Sequence, residues 1–570
     1  MASSAVFIQN KKTPLLLYAA SALIILFLFF FLLLPVGVIL IKALQDEEGQ
    51  FTLQYFSLIW QNESYLLAIA NSFKLAAMTT ISCLAISFPL ALINSRFSYP
   101  GKKIFSVLLL APLVLPPFVA AVGINKLFAK FGAVNLMLQE IGIISEMIDW
   151  MHSDNLFAVV VLLETIHLFP ILYLNIMAAI ANIDPSLEEA ASILGASRLK
   201  RFRDIIWYLA RPGIFAGASI VFVFAFTDLG TPLLTGWTDN VAVKIFDLVT
   251  SAASNPMGYA LVILVLAVVA TSFVTSRFLY ARTSYPTLAK GHVQKIEEKA
   301  SSATKMIFVL ANIILLTLAL APHLSVLIAS FSEKWFMTIL PTEIGLNHYR
   351  DIWQEPISII GIKNSLALSV VATLIDMVLG FGIAFIVTRK LLPFSNFLDG
   401  LVMLPLAIPG IVLAFGYVVC YTDTFLDPLN NPTFLLIVAY SIRRLPFMVR
   451  AASAGLSQLS LSLEEASYTL GASKSLTIYK ISLPLTFANI LAGAIFCFAF
   501  TMLDVSDSLI LAMKDRFYPL TKAIYALYLE QGRGENLACA LGSIGMLILA
   551  LALSLVSIIL GKKMGELFRG

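Results

Sequence analysis

Twelve apolar stretches, each long enough to cross a hydrocarbon core of roughly 30 Å, divide this chain and leave little between them for a soluble core. They run near 15–41, 66–93, 104–128, 156–182, 213–234 and 257–280, then near 306–330, 362–388, 397–422, 433–457, 487–512 and 537–561. Lipid cannot satisfy a bare backbone, so segments of this length and character fold as helices. The chain is 59% hydrophobic and 13% charged, with a mean hydropathy of +0.90, far from the range of soluble domains. The expected class is an all-α polytopic membrane protein of twelve transmembrane helices. The stretch from Leu15 is too long for the core of a cleaved leader and lacks a small-residue cleavage site, so it reads as the first span.

Basic residues give the orientation, because short cytoplasmic loops retain Lys and Arg. The segments on one side (1–14, 94–103, 183–212, 281–305, 389–395, 458–486 and 562–570) hold 22 of the 38 Lys and Arg. Those on the other side hold nine. Both termini are therefore expected in the cytoplasm. The net charge of +4 is largely this bias, and no nucleic-acid partner is inferred from it. Cys83, Cys420, Cys497 and Cys539 are scattered through apolar text without a CxxC pair, which reads as small buried side chains.

The twelve stretches are two sets of six. Leu53, Trp60, Asn71, Ser72, Pro112 and Pro116 return 293 residues later as Leu346, Trp353, Asn364, Ser365, Pro405 and Pro409. Pro170, Glu188, Glu189 and Gly195 return 276 residues later as Pro446, Glu464, Glu465 and Gly471. The change of offset places a longer external loop within 129–155 of the first copy. An even number of spans per copy gives both the same orientation, with a pseudo-twofold axis along the membrane normal. The domain reading is 1–280, a polar linker 281–304, and 305–570.

The strongest identity between the copies is charged: SLEEAASILGAS from Ser186 and SLEEASYTLGAS from Ser462. Ser186 with Glu189, and Ser462 with Glu465, have the spacing of a capping box. Gly195 and Gly471 follow as left-handed helix ends, and Ser197 and Ser473 are placed to start another helix. The expectation is a short helix, a tight bend and a second helix on the cytoplasmic side, in 183–212 and again in 458–486.

These segments resemble the signature of the membrane subunits of ATP-binding-cassette importers, a cytoplasmic Glu-Ala-Ala followed by Gly. The matches are Glu189-Ala190-Ala191 with Gly195, and Glu465-Ala466-Ser467 with Gly471. The resemblance extends over nearly the whole chain, each half looking like one permease of the type I importer fold. It implies that Glu188, Glu189, Ala190 and Gly195, with Glu464, Glu465, Ala466 and Gly471, form coupling segments facing two ATPase subunits. Their flanks differ: Arg198, Lys200, Arg201 and Arg203 follow the first bend, but only Lys474 and Lys480 the second. Leu-Pro-Leu, frequent in the family, stands at 483–485 but is Trp-Tyr-Leu at 207–209.

No phosphate-cradling loop is present, since Gly101-Lys102 and Gly561-Lys562 are each followed by Lys rather than Ser or Thr. The resemblance thus implies no cofactor bound by this chain, ATP-Mg in the partner subunits, an external substrate-binding protein and a bacterial inner membrane location. An intramembrane enzyme is disfavoured, with no nucleophile–base pair on one loop and no metal-spaced cluster.

Ionisable groups within spans are costly and usually line a path or find partners. Asp228 and Asp504 correspond at the 276 offset in the outer part of a fifth span, and Asp507 follows within a turn. His167 corresponds to Arg443, with Arg444 beside it and Pro170 or Pro446 three residues on. These six are the substrate-pathway candidates, and wetted helix ends or bonds to freed carbonyls are the structural alternatives. The prolines at 112–117 and 405–409 mark kinked or broken third spans. The text around 441–450 most resembles the ferric-iron branch, although Asp504-Val505-Ser506 stands where Glu-Leu-Pro is frequent. Ferric iron is the first expectation for cargo, and a phosphorylated or phosphonate compound, thiamine or a polyamine the alternative. An ATP-independent secondary transporter is the reading from another class; it would not need the matched bends.

Overall fold

The computed structural model describes residues 15–46, 48–249, 257–281, 298–530 and 532–560. Most of the linker and both termini, on which the expectations of a polar joint and cytoplasmic ends rest, lie outside the described residues.

Among the described residues ten helices are long and apolar enough to cross a membrane. An eleventh is a pair, Ser395–Leu406 and Gly410–Tyr421, bent by 98°. Thr433–Gln458 is a 26-residue helix at the remaining expected position. Arg443, Arg444 and Arg450 lie along it.

Two of the expected spans differ in each half. In the first half the third span is broken into Lys102–Leu108, Ala111–Val114 and Pro117–Phe128. Pro116 and Pro409 adopt extended backbone at these breaks, because a proline offers no N–H and expels its predecessor from helical geometry. The fifth spans, expected to run to 234 and 512, end at Thr227 and Met502. Short helices Gly230–Thr235 and Ser506–Leu511 follow, so the apolar text outruns the helix and an aspartate sits in each gap.

The leading helix of each half packs on the other half. Residues 34–43 lie against Gly410–Tyr421, and Ser302–Phe331 lies against Pro117–Phe128. Each contact has a glycine at the same repeat position. A Cβ at Gly123 would stand 2.6 Å from the Pro322 carbonyl oxygen, and one at Gly416 3.2 Å from that of Pro35. Small residues of this kind let backbones approach where lipid offers no hydrophobic drive. The first leading helix also carries a π-turn, Phe29–Leu33. There Tyr417 and Tyr421 donate to the carbonyls of Phe31 and Phe30 at 2.7 and 2.6 Å, serving oxygens that the widened turn leaves poorly bonded.

The repeated Asn-Ser pair proves to be a clamp. Ser72 Oγ accepts from the Val241 amide at 3.0 Å, and Ser365 Oγ from the Leu520 amide at 2.7 Å. Asn71 donates to the Asp239 carbonyl, and Asn364 to those of Arg516 and Tyr518. Both second spans thereby hold the start of a later helix, Val241–Leu248 in the first half and Leu520–Leu529 in the second.

Candidate functional site

Two features repeat in both halves: a sharp bend at one end of the molecule and a polar cluster where the broken third and fifth spans meet.

At the bends, short helices Pro185–Ile193 and Leu461–Thr469 are followed by Gly195 (φ +79°) and Gly471 (φ +86°). Ser197 and Ser473 then cap the next helix through the Lys200 and Leu476 amides, each at 3.3 Å. The caps of the short helices themselves fall two residues earlier than the capping-box spacing predicts. Asp184 accepts from Ser186 at 2.9 Å, and Ser460 from Ser462 at 3.4 Å. Pro185 in the first copy suits the first helical position, where no N–H is needed. π-turns at Phe202–Trp207 and Ile478–Ser482 follow both bends at the same offset.

The four glutamates divide into two kinds. Glu188 pairs with Arg96. Glu464 pairs with Arg389 at 2.8 Å and accepts from Ser482 Oγ at 3.0 Å. Arg96 and Arg389 end the two second spans and stand 293 residues apart, a repeat legible in the sequence but missed there. Glu189, Ala190, Glu465 and Ala466 are instead exposed, beside Ile193, Leu194 and Leu470, which are 86–88% exposed. Each bend thus has one acid locking it to its own half and an apolar, acid-edged face left open.

In the second half the polar cluster is neutralised. Arg443 Nη1 donates to Asp504 and Asp507, both at 2.9 Å. Arg444 Nη2 donates to Asp504 Oδ2 and to the Phe500 carbonyl, each at 3.0 Å. Asp504 also accepts from the Asp507 amide at 3.0 Å, capping the short helix after the gap. Arg443 lies over Gly410, where a Cβ would meet its guanidinium carbon at 2.6 Å, so the third-span break makes room for the cation. Asp376, which the sequence reading missed, is fully buried and accepts from Ser441 Oγ at 2.5 Å.

The first half is built differently at the same positions. His167, in place of Arg443, donates through Nδ1 to the Pro112 carbonyl at 2.7 Å. Carbonyls only accept, so the proton is on Nδ1. Asp228, in place of Asp504, accepts from the Thr231 amide at 2.8 Å. It is not a wall residue of a continuous span but the cap of a helix beyond the gap. Glu164, in place of Tyr440, is 2% exposed and faces Asp228 and Thr231. His323 is also buried, near His167 and the carbonyls of Leu115 and Pro116. Glu164, Asp376 and His323 were each legible as ionisable residues alone in apolar runs. The two halves touch here: a Cβ on Gly230 would meet Phe118 at 3.1 Å and Val505 at 3.2 Å, so they are closed on each other at this point. No cluster of three or more His, Cys, Asp or Glu able to hold a metal occurs among the described residues.

A helical membrane protein made of two like halves, with broken spans meeting at a polar centre and a matched bend in each half, belongs to the class of transport permeases. The family model described as binding-protein-dependent transport system inner membrane component matches residues 85–285 and again 376–564. The ferric transport system permease protein FbpB of Actinobacillus pleuropneumoniae is 28% identical over 539 residues, 90% of this chain and 74% of that one. A putative ferric transport permease FbpB 1 of Haemophilus influenzae is 29% identical over 80% of this chain and 71% of its own length. A putative 2-aminoethylphosphonate permease PhnU of Salmonella typhimurium is 27% identical over 35% of this chain and 70% of its own. A solved bacterial ABC transporter that imports the acidic polysaccharide alginate aligns with 46% of this chain and 95% of its own, at TM-score 0.39 and 21% identity. The chain belongs to the family of binding-protein-dependent transport system inner membrane components. It is an importer permease carrying the family domain twice, a multi-pass protein of the inner membrane.

Proposed function

We propose that this chain forms the substrate pathway of a ferric-iron importer and couples it to separate ATPase subunits. Residues 1–280 and 305–570 form six-span halves joined by the cytoplasmic linker 281–304, with twelve spans in all and both termini in the cytoplasm. One ATPase docks on each bend, through Glu189, Ala190 and the exposed apolar residues near Gly195, and through Glu465, Ala466 and those near Gly471. Glu188 and Glu464 transmit the movement to the second spans through Arg96 and Arg389. ATP-Mg, bound between the partner ATPases, favours the conformation in which the bends approach and the centre opens outward. An external binding protein delivers cargo into that opening, and hydrolysis resets the bends.

The observation that carries the docking reading is the pair of equivalent bends, each tied by an acid to its own half and open on its other face. For the cargo, similarity to the ferric permeases covers most of the chain, whereas similarity to the phosphonate permease covers about a third. The chemistry agrees with iron, because Arg443 and Arg444, the groups suited to a phosphate, are already bonded to Asp504 and Asp507. The test is uptake of Fe(III) by vesicles containing the chain, its co-purifying ATPase and its binding protein. ATP-dependent uptake that is lost in E189K/E465K, with the variant still folded, supports the reading. A co-purifying ATPase that drives a phosphorylated solute instead would replace the cargo.

A further inference from the structure

Glu164 is an anomaly in its own half. In the second half Asp504 and Asp507 are matched by two guanidiniums, but around Glu164 and Asp228 no ion pair forms among the described residues. The titratable groups facing this pair are the imidazole of His167, with its Nδ1 proton committed to Pro112, and the thiol of Cys83. The His323 imidazole lies next to His167. Glu164 Oε1 has no hydrogen-bond partner, and neither does the hydroxyl of Thr231, which is fully buried against it. Glu164 is buried and Asp228 half-buried, and two carboxyls that face each other with no cation beside them disfavour each other's charge.

We infer that Glu164 and Asp228, with the Thr231 hydroxyl, form a one-sided acidic site for a cationic cargo, in which a proton on Glu164 stands while the halves are closed on each other. When the centre opens, the cation takes the place of that proton, which leaves to water, and the two carboxylates and the hydroxyl present hard oxygens to it. Two carboxylates do not make a resident chelate, and a transit site must release what it binds. The second half, with Arg443 and Arg444 ion-paired to Asp504 and Asp507, acts as the insulating wall, so the path is polarised toward one repeat. This inference rests on the importer reading above.

The test uses the full chain with its ATPase in lipid nanodiscs, held open by ATP on a hydrolysis-deficient ATPase, with Tb(III) as a redox-inert trivalent probe. Wild type is expected to bind Tb(III) in a water-poor site with release of about one proton. E164Q and D228N, whose amides keep the size and the helix cap, are expected to lose that site and the proton release. In the hydrolysing complex E164Q is expected to lower Fe(III) uptake about tenfold or more while binding-protein-stimulated ATPase stays within about twofold, because the site contacts cargo and not the bends. Infrared difference spectra against E164Q should show a protonated carboxyl band in the closed wild type that the variant lacks. E164D serves where E164Q does not fold, with weakened rather than abolished Tb(III) binding expected. Unchanged Tb(III) binding and proton release in both E164Q and D228N, or uptake equal to wild type, overturns the site. If wild type carries a phosphorylated solute and no Fe(III), the cargo proposal falls, while the Tb(III) and infrared measurements still decide the site.

Discussion

Arg389 and Glu464 meet almost out of reach of water, their side chains 9% and 6% exposed, whereas Arg96 and Glu188 are 27% and 21% exposed. Removing one partner of a buried pair strands the other, which typically costs about 3 to 5 kcal/mol, against roughly 1 kcal/mol or less for an exposed pair. R389A is therefore expected to lower the melting temperature of the purified chain clearly more than R96A, and adding E464Q should recover much of the loss. Equal losses would mean that the two bends are held alike. The caps differ as well. Asp184 is exposed, and its bonds from the Ser186 amide and hydroxyl hold its carboxyl below the usual carboxylate range. A folded-state value below the unfolded one gives stability that is present above about pH 4 and lost as pH falls through the lower value. Amide exchange at Ser186 should accelerate in that window, that at Ser462, capped by a hydroxyl, should not, and D184N should abolish the difference. At this scale the sequence shows identities but not orientations. Two adjacent glutamates in each copy look alike in text, and only the end of the second span, brought alongside by the fold, separates the locking acid from the exposed one. Glu164 escaped notice because its counterpart is Tyr440, and matching by identity cannot reveal a site built from the difference between copies.

Apolar length is a good guide to where helices lie and a poor one to where they stop. The prolines at 112, 116, 405 and 409 announce the third-span breaks because the missing N–H acts locally. The fifth-span gaps are marked less plainly: Gly230 and Pro232 follow Asp228, and Ser506, Asp507 and Ser508 follow Asp504, but apolar text resumes at once, and each aspartate turns to cap the next short helix. Thr433–Gln458 shows the converse, a helix whose arginines lower its hydropathy, Arg443 and Arg444 being paired at the gap of the neighbouring span and Arg450 with Asp399. The crossing of leading helices onto the opposite half was illegible, since it depends on which apolar faces meet. Its glycines make it testable. A Cβ at Gly123 would press on backbone at 2.6 Å, but at Gly416 it would stand at 3.1–3.2 Å from its neighbours. Forcing a methyl group into a packed interface costs about 1 to 3 kcal/mol when the neighbour cannot yield. G123A is expected to lower thermal stability in detergent by that order and G416A by much less. A G416A loss as large as that of G123A would show that the two crossings are equally tight.

The two halves repeat one plan with unequal chemistry, and this inequality extends from the centre to the docking faces. The first bend is followed by exposed Arg198, Lys200 and Arg203 and half-buried Arg201, the second by exposed Lys474 and Lys480. Both faces present exposed leucine or isoleucine near the bend glycine, so apolar burial is common to the two contacts while electrostatic attraction is concentrated on the first. Salt separates these contributions: the screening length falls from about 10 Å at 0.1 M to about 3 Å at 1 M, whereas burial of apolar side chains is not weakened by it. A chain with its second face disabled, E465A/L470A, must hold its ATPase through the first bend alone, and one with E189A/L194A through the second alone. Retention of the ATPase on the immobilised chain is expected to fall several-fold between these salt concentrations in E465A/L470A and to change little in E189A/L194A. Arg203 is partly neutralised by Asp204 at 2.7 Å, so the basic cluster acts chiefly through Arg198, Lys200 and Arg201. R198Q/K200Q/R201Q added to E465A/L470A should remove most of the salt response. If both single-face chains respond equally to salt, the basic residues face lipid headgroups and not the ATPase, and the two docking contacts are equivalent despite their sequences.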